Sequence, residues 1–431
     1  MNALPVELQI HIFSYLPQLE REKSRRWKSK RETDIYPQTL FNLCLSSRNL
    51  YSVARPILYQ TFAIIRIEGS GRRLRAFLRT IIEQPDLAAQ LQYIRFRVSL
   101  QEIARGDKEA LEADLSSFQQ KASTIPGFTT TRVLDIGNAH TQFMLLLCCA
   151  PNLEELLFQK PHFDSYCSEL LFLASALSKA SSVSAGQTPF LSKLKEVTLD
   201  TKSRVYPWLR VTGAGRLIAR EHREAYGPAI AAAASQRWSI GPKIEKLRLH
   251  GSYIPTQLTC ALEVCSPLKV LEYSGAKDCF PVLDLRRIGV ALSLSTQMLQ
   301  KLRFDASLGT YPSQGVLELS HFPQLKEICV SMQILVEITP ASVGPYTNGL
   351  EDLLPVSVES LELVWRPKWF SPGEFECLFK FASVCSTRLP QLRSFKIRAA
   401  DRSTILGEDE QFALEAAFKQ SHVTLVTGLP L

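Results

Sequence analysis

A six-residue frame, apolar-x-x-apolar-x-apolar, recurs along most of this 431-residue chain and constrains its fold more than any other feature. The frame starts at ten positions, namely Leu91, Thr131 (polar at its first place), Leu153, Leu194, Ile244, Leu268, Leu299, Leu325, Val358 and Leu392. In a chain that is 45% hydrophobic, one such frame carries little weight. Four of them, however, have proline two residues ahead, and their second and third places are repeatedly charged. The recurrence therefore predicts a repeated structural unit.

The alternation within each frame is typical of a β-strand. Alternate residues of a strand face opposite sides, so the fourth and sixth places are predicted to turn inward and the third and fifth outward. Apolar runs at 143–147, 170–177 and 375–384 would cover the inward side. Spacings between frames range from 22 to 50 residues, so these covering arms differ in length. We predict an α/β fold, closed by a helix over 408–419 and a strand over 423–426.

The first sixty residues follow a different pattern, in which apolar residues recur at the four-residue step of an amphipathic helix. The recurring residues are Leu4, Leu8, Ile12 and Leu16. Pro5 suits the first turn of such a helix, where a missing amide hydrogen is not needed. A second apolar segment, 40–62, has the pattern of further short helices. Because three short helices bury only a small core and leave apolar side chains uncovered, this region predicts a helical module that binds a partner.

Positive charge is concentrated in two stretches. The chain carries a net charge of +8, and residues 20–32 alone hold seven basic and three acidic side chains. A second basic stretch covers 202–237. Both are predicted to be insertions. The first is open to two interpretations, a nuclear-import or phosphate-contacting segment and a solvated loop.

The N-terminal sequence LPVELQIHIFSYL, followed by TLFNLCLSSRNLYSVARPILYQTF, resembles an F-box. Apolar periodicity alone would also suit a helical cap on the repeats, but the Leu-Pro-x-Glu opening and the Arg55-Pro-Ile-Leu-Tyr59 ending favour the F-box. The sequence departs from the family in its basic insert at 18–36. F-box modules dock on the Skp-type adaptor of Skp–cullin–F-box ubiquitin ligases. The resemblance implies that nine residues lie at or under that interface: Leu4, Pro5, Leu8, Ile12, Phe13, Leu16, Leu40, Leu43 and Leu45.

The repeated frames resemble the leucine-rich repeat, which stacks strand-and-arm turns into a solenoid and implies a parallel strand ladder. The two resemblances together imply an F-box helical module over 1–62 and an irregular leucine-rich-repeat solenoid over 63–431, with a C-terminal cap at about 401–431. They also imply a substrate receptor, in which the F-box holds the adaptor and, through it, the cullin and RING subunits. The repeats would hold a protein client.

The sequence shows no motif for catalysis, a cofactor or a metal. G-x-S-x-G, Walker and H-E-x-x-H motifs are lacking, and the ten cysteines include no C-x-x-C pair, so we expect reduced thiols and no enzyme activity. No apolar run is long enough for a bilayer, and Glu7 interrupts the first apolar positions, which argues against a secretory signal. We therefore expect a non-enzymatic protein of the cytoplasm or nucleus, without cofactor, metal or membrane.

We predict that the client binds to the outward places of the later frames, where rows of charged side chains can discriminate between partners. The predicted residues are Arg248, Glu272, Arg303, Glu362, Lys396 and Arg398. A loop after the Val358 frame adds two aromatic candidates, Trp365 and Trp369. The rival hypothesis is a non-ligase nuclear scaffold, or a nucleic-acid-associated repeat protein that uses its basic segments. The outward charges and the basic segments thus predict different partners.

Overall fold

The fold is known from a computed structural model, which describes about three fifths of the chain. The described residues are 5–13, 15, 35–64, 69–96, 103, 112–125, 139–159, 191, 193–200, 244–251, 258–259, 262, 267–275, 284–305, 316–335, 349–365, 372–399 and 408–428. They belong to two compact units. The first comprises Met1–Phe158 and Ser182–Leu194, and the second Gln159–Ser181 and Lys195–Leu431.

The first unit starts with a helical segment at 6–13. Its further elements are α1 (Ile35–Ser46), α2 (Arg48–Leu58), β1 (Thr61–Ile64), α3 (Ser70–Glu83), α4 (Pro85–Ala88), β2 (Tyr93–Phe96), α5 (Glu112–Ser123), α6 (Ala139–Cys149) and β3 (Glu155–Gln159). The second unit contains mostly strands. Its elements are β4 (Glu196–Asp200), β5 (Lys246–Gly251), β6 (Val270–Gly275), α7 (Leu285–Ser293), β7 (Lys301–Asp305), β8 (Glu327–Ser331), α8 (Met332–Leu335), α9 (Leu350–Leu353), β9 (Ser360–Trp365), α10 (Pro372–Arg388), β10 (Ser394–Ala399), α11 (Glu408–Gln420) and β11 (Thr424–Gly428).

Within each unit the strands pair in parallel, in the order in which they occur in the chain. The first unit contains the ladder β1–β2–β3 and the second the ladder from β4 to β11. A backbone pattern repeats from strand to strand, in which the carbonyl at the second place of one frame accepts two successive amides of the next. The carbonyl of Lys269, for example, accepts from the amides of Gln300 at 2.8 Å and Lys301 at 3.1 Å. The predicted α/β fold with a parallel strand ladder is therefore confirmed.

Nine of the ten predicted frames contain a strand, and each strand starts at the third place. The exception is the frame at Thr131, which lies outside the described residues. One further strand, β1, was not predicted. It has the same frame with Tyr59 at the first place, and the predicted domain boundary between 62 and 63 falls inside it.

Burial follows the predicted alternation. In the frame that contains β7, the apolar residues at the first, fourth and sixth places, Leu299, Leu302 and Phe304, are fully buried. The residues at the third and fifth places of β7 are partly exposed. Each described turn of a ladder therefore adds its apolar residues to the core on the inward side of that ladder.

Aromatic side chains join the helices to the inward side of the ladders. In the second unit, the ring of Phe395 on β10 lies 5.4 Å from Phe381 on α10 and 4.7 Å from Phe418 on α11. In the first unit, Phe143 on α6 contacts Phe96 on β2 at 5.1 Å. Two of the predicted covering runs, 143–147 and 375–384, thus lie in α6 and α10, and the third, 170–177, lies outside the described residues. The predicted terminal helix and strand are α11 and β11.

Candidate interaction surfaces

The N-terminal helical module, defined here as the described part of residues 5–59, has a small core of its own. Its first helical segment begins at Pro5, whose carbonyl accepts from the amide of Gln9 at 3.1 Å. Ser47 separates α1 from α2 because its backbone is extended and its hydroxyl caps α2 by accepting from the amide of Leu50 at 3.1 Å. The helices meet around six buried residues: Phe13, Leu40, Leu50, Val53, Ala54 and Ile57. The predicted insert at 18–36 ends inside α1, which already starts at Ile35.

Large apolar side chains remain exposed on this module. They are Val6, Leu8, Ile10, Ile12, Tyr15, Phe41, Leu45 and Tyr51, and we call them the apolar surface. Leu45 exposes 71% of its area and Leu8 48%. A core of six residues cannot cover them, because three short helices have more apolar faces than mutual contacts. The apolar surface is a candidate docking site.

Of the nine residues predicted at or under the adaptor interface, those that the structure describes lie either on the exposed surface or in the small core. Pro5, Leu8, Ile12 and Leu45 are exposed, and Leu43 is partly buried against the small core. Phe13 and Leu40 belong to the core and support the apolar surface from below. Leu4 and Leu16 lie outside the described residues. The prediction did not include five members of the apolar surface: Val6, Ile10, Tyr15, Phe41 and Tyr51. These helices are apolar on more than one side, and the core can bury only one side of each. That pattern could have identified the five residues from the sequence.

The module is joined to the start of the first ladder by side-chain contacts. The ring of Tyr59 stacks on Phe77 of α3 at 5.6 Å, and Phe62 of β1 stacks on the same ring at 4.0 Å. Arg55 at the end of α2 also donates a hydrogen bond to the side chain of Gln84. These contacts fix α2 against the first turn of the repeats.

The second candidate surface is the outward face of the ladder from β4 to β11, defined by the third, fifth and seventh places of its frames. The strand register aligns its fifth places in one row across eight strands. In strand order the row reads Thr198, Arg248, Glu272, Arg303, Cys329, Glu362, Lys396 and Val426. Five of the predicted client residues therefore lie in a single row. The sixth, Arg398, lies at the seventh place, next to that row.

Most charges on this outward face form ion pairs with one another. Nε of Arg248 lies 2.8 Å from a carboxylate oxygen of Glu272, and Arg248 also pairs with Glu196. Nε of Arg398 lies 2.7 Å from a carboxylate oxygen of Glu362. Its terminal nitrogen lies 3.7 Å from Asp305, three strands away. These pairs are partly buried, and only 13% of the Arg398 side chain is exposed. They hold neighbouring strands together and neutralise much of the face.

Cys329 lies in the middle of the row, among four of these charged groups. The pKa of its thiol is raised to about 11, mainly by burial and also by Glu362 and Asp305, while Arg303 and Arg398 act in the opposite direction. The thiol is therefore protonated and unreactive at neutral pH. None of the six cysteines for which the structure gives side-chain surroundings forms a disulfide; these are Cys44, Cys148, Cys149, Cys329, Cys377 and Cys385.

The remaining predicted interaction residues fall largely outside the described parts of the chain. Trp365 is the last residue of β9, and its side chain is not described. Trp369 and both basic stretches, 20–32 and 202–237, lie outside the described residues. The aromatic loop and the basic segments therefore stay predictions.

Within the described ranges there is no group of three or more histidine, cysteine, aspartate or glutamate side chains that could hold a metal ion. The same ranges contain no helix that is long and apolar enough to cross a membrane. No protein-family model matches the chain, and no curated protein matches it with significance. Its function is therefore inferred from the two surfaces and from the sequence.

Proposed function

We propose that the protein is the substrate receptor of a Skp–cullin–F-box ubiquitin ligase. The N-terminal helical module would dock on the Skp-type adaptor, and the repeats would hold a protein client in the cytoplasm or nucleus. No chemistry by this chain is required. By holding client and ligase together, it raises their effective concentration, and the ligation itself belongs to the other subunits.

The observation that carries the proposal is the apolar surface. Among the described residues, eight of the fourteen large apolar side chains that are clearly exposed lie on the N-terminal module. An exposed apolar area of this kind is unfavourable in water unless a partner covers it. The exposed residues also coincide with F-box positions, since Leu8, Ile12 and Leu45 lie in the stretches that resemble the family.

The division between a supporting core and exposed anchors also favours docking. Phe13 and Leu40 belong to the core, so Leu8 and Ile12 on the helical segment and Leu45 on α1 are displayed by a preformed scaffold. A preformed surface does not lose the conformational entropy that an unfolded segment would lose on binding. The repeats would follow directly, because Tyr59 and Phe62 join the module to the first ladder.

The proposal is tested by co-purification of the full chain with a Skp-type adaptor. We expect the wild type to retain the adaptor and Leu8→Asp to lose it, because burial of an unpaired carboxylate in an apolar interface is strongly unfavourable. Phe412→Asp is the matched control, since Phe412 on α11 is also an exposed apolar residue but lies far along the chain. A folded Leu8→Asp protein that binds the adaptor normally would exclude this docking site.

A further inference from the structure

Among its described side chains, the outward face of the second ladder has six cationic residues and five carboxylates. Its described cationic side chains are Lys246, Arg248, Lys301, Arg303, Lys396 and Arg398. Its described carboxylates are Glu196, Glu272, Asp305, Glu327 and Glu362, and each of them has an ion-pair partner on the same face. Arg303 and Lys396 form no ion pair with any residue that the structure describes.

Both residues lie beside a carboxylate in the strand register, but each of these carboxylates forms its ion pair with another cation. Arg303 lies beside Glu272, but that carboxylate pairs with Arg248 on its other side. Lys396 lies beside Glu362, but Glu362 pairs with Arg398. The carboxylates beside Arg303 and Lys396 thus pair with other cations, although Arg398 is itself shared between Glu362 and Asp305. Among the described residues, Arg303 and Lys396 have no ion-pair partner, so a carboxylate brought to this face would form new ion pairs with them.

The two cations are separated by a distance that a peptide can span. β7 and β10 are three strand steps apart, which corresponds to about 14 Å between backbones. An extended peptide advances about 3.3 Å per residue, and side chains four residues apart point the same way over about 13 Å. Cys329 and Glu362 lie between the two cations, and Val426 lies beside Lys396. The floor of this stretch therefore includes weakly polar surface and one carboxylate, which is paired with Arg398.

We propose that Arg303 and Lys396 bind two carboxylates of an extended acidic client segment that lies across strands β7 to β10. This inference rests on the proposed function in that it names the class of client that the receptor would select. Arg248 and Arg398, although cationic, are assigned to holding the ladder together, because their guanidinium groups are already paired. The residues proposed to select the client are therefore two of the six charged residues that the sequence predicted.

The test is peptide binding to the full chain without the adaptor, measured by fluorescence anisotropy at low ionic strength. The probe is a peptide of about twelve residues, long enough to cross the four strands. It has two glutamates four residues apart in a background of serine, threonine and valine, and the control probes replace one or both glutamates with glutamine. We expect Arg303→Gln with Lys396→Gln to raise the Kd for the two-glutamate peptide about tenfold. The single-glutamate peptide should bind more weakly and respond less to the double substitution.

A second double variant controls for net charge. Lys380→Gln with Lys419→Gln removes the same two charges from the exposed sides of α10 and α11, whose aromatic residues cover the inward side of the ladder. This variant should bind the peptide as the wild type does. Equal weakening by both double variants, or no preference for the glutamate peptide, would overturn the proposal. Tighter binding of a single-stranded oligonucleotide to the same two residues would also overturn it, in favour of a nucleic-acid partner.

The peptide experiment is independent of the adaptor experiment. If the wild-type chain retains the adaptor but does not bind the two-glutamate peptide, the proposed class of client is refuted and the receptor proposal stands. Peptide binding by a chain that never retains the adaptor would refute the receptor proposal and leave the acidic-segment site intact.

Discussion

The N-terminal helical module and the ladder of the second unit differ in the kind of side chain that they expose. The module buries six side chains and leaves eight large apolar ones exposed. The ladder buries its apolar residues frame by frame, and its outward face consists largely of charged side chains, most of them paired. The same chain therefore offers one apolar and one charged surface.

This difference indicates two kinds of recognition. Apolar burial is strong and not very selective, which suits a partner that is the same in every complex. Charged rows contribute less net affinity but reject partners with the wrong charges, which suits selection among many clients. Substitutions in both regions test whether the two surfaces differ in this way.

The largest effect on stability is expected in the ladder core. Phe395→Ala should lower the free energy of unfolding by about 3 to 5 kcal/mol, because Phe395 is fully buried between Phe381 and Phe418. Urea denaturation followed by circular dichroism measures the change. The exposed Phe412 provides the control, and Phe412→Ala should change stability by less than about 0.5 kcal/mol. Similar losses in both variants would mean that α10 and α11 do not pack on β10 in this way.

A smaller and local effect is expected in the module core. Leu40→Ala should destabilise the module by about 2 to 4 kcal/mol, because Leu40 is fully buried among its six core residues. Hydrogen exchange of α1 and α2 should accelerate, and adaptor binding should fall because the apolar surface loses its support. Leu45→Ala should weaken adaptor binding while exchange in the core stays as in the wild type. If exchange responded equally to both substitutions, the division between core and surface would be incorrect.

The ion pairs of the outward face should contribute according to their burial. Glu362→Gln should cost about 1 to 3 kcal/mol, because it removes a carboxylate from the partly buried guanidinium of Arg398. Glu327→Gln breaks the exposed pair with Lys301 and should cost less than about 1 kcal/mol. Chemical denaturation at low and at high salt distinguishes the two pairs, since only the exposed pair should lose its contribution to screening. Equal costs would show that the Arg398 pair is solvated.

An effect confined to alkaline pH concerns the thiol of Cys329. Burial raises its pKa to about 11 from an ordinary value of 9.0, so the folded protein holds this proton more tightly than the unfolded chain does. The stability contributed by the protonated thiol should be complete below about pH 9 and should be lost as the pH rises through about 11. Cys329→Ala should therefore flatten the pH dependence of unfolding in this window relative to wild type. Parallel curves for the two proteins would show that the thiol is solvated.

Much of the ladder could be predicted from local pattern. The frames at Leu299 and Leu325 each gave a strand at the third place, because alternation fixes which side of a strand meets the core. The frame at Thr131 stays a prediction, since it lies outside the described residues and a six-residue apolar pattern also arises by chance. β1 was missed although it has the frame, because Tyr59 and Phe62 were assigned to the end of the helical module.

The sequence by itself determined which residues turn inward and that the N-terminal helices have more apolar residues than a small core can bury. Both follow from periodicity and composition, which are local properties. Only the tertiary structure decided which charges have partners. Arg248 and Arg303 both lie at the fifth place of a frame, yet Arg248 pairs with Glu196 and Glu272 while Arg303 has no ion pair among the described residues. The reason is that one carboxylate can neutralise one of several neighbouring cations, and the choice depends on register and side-chain reach across strands that are far apart in the chain.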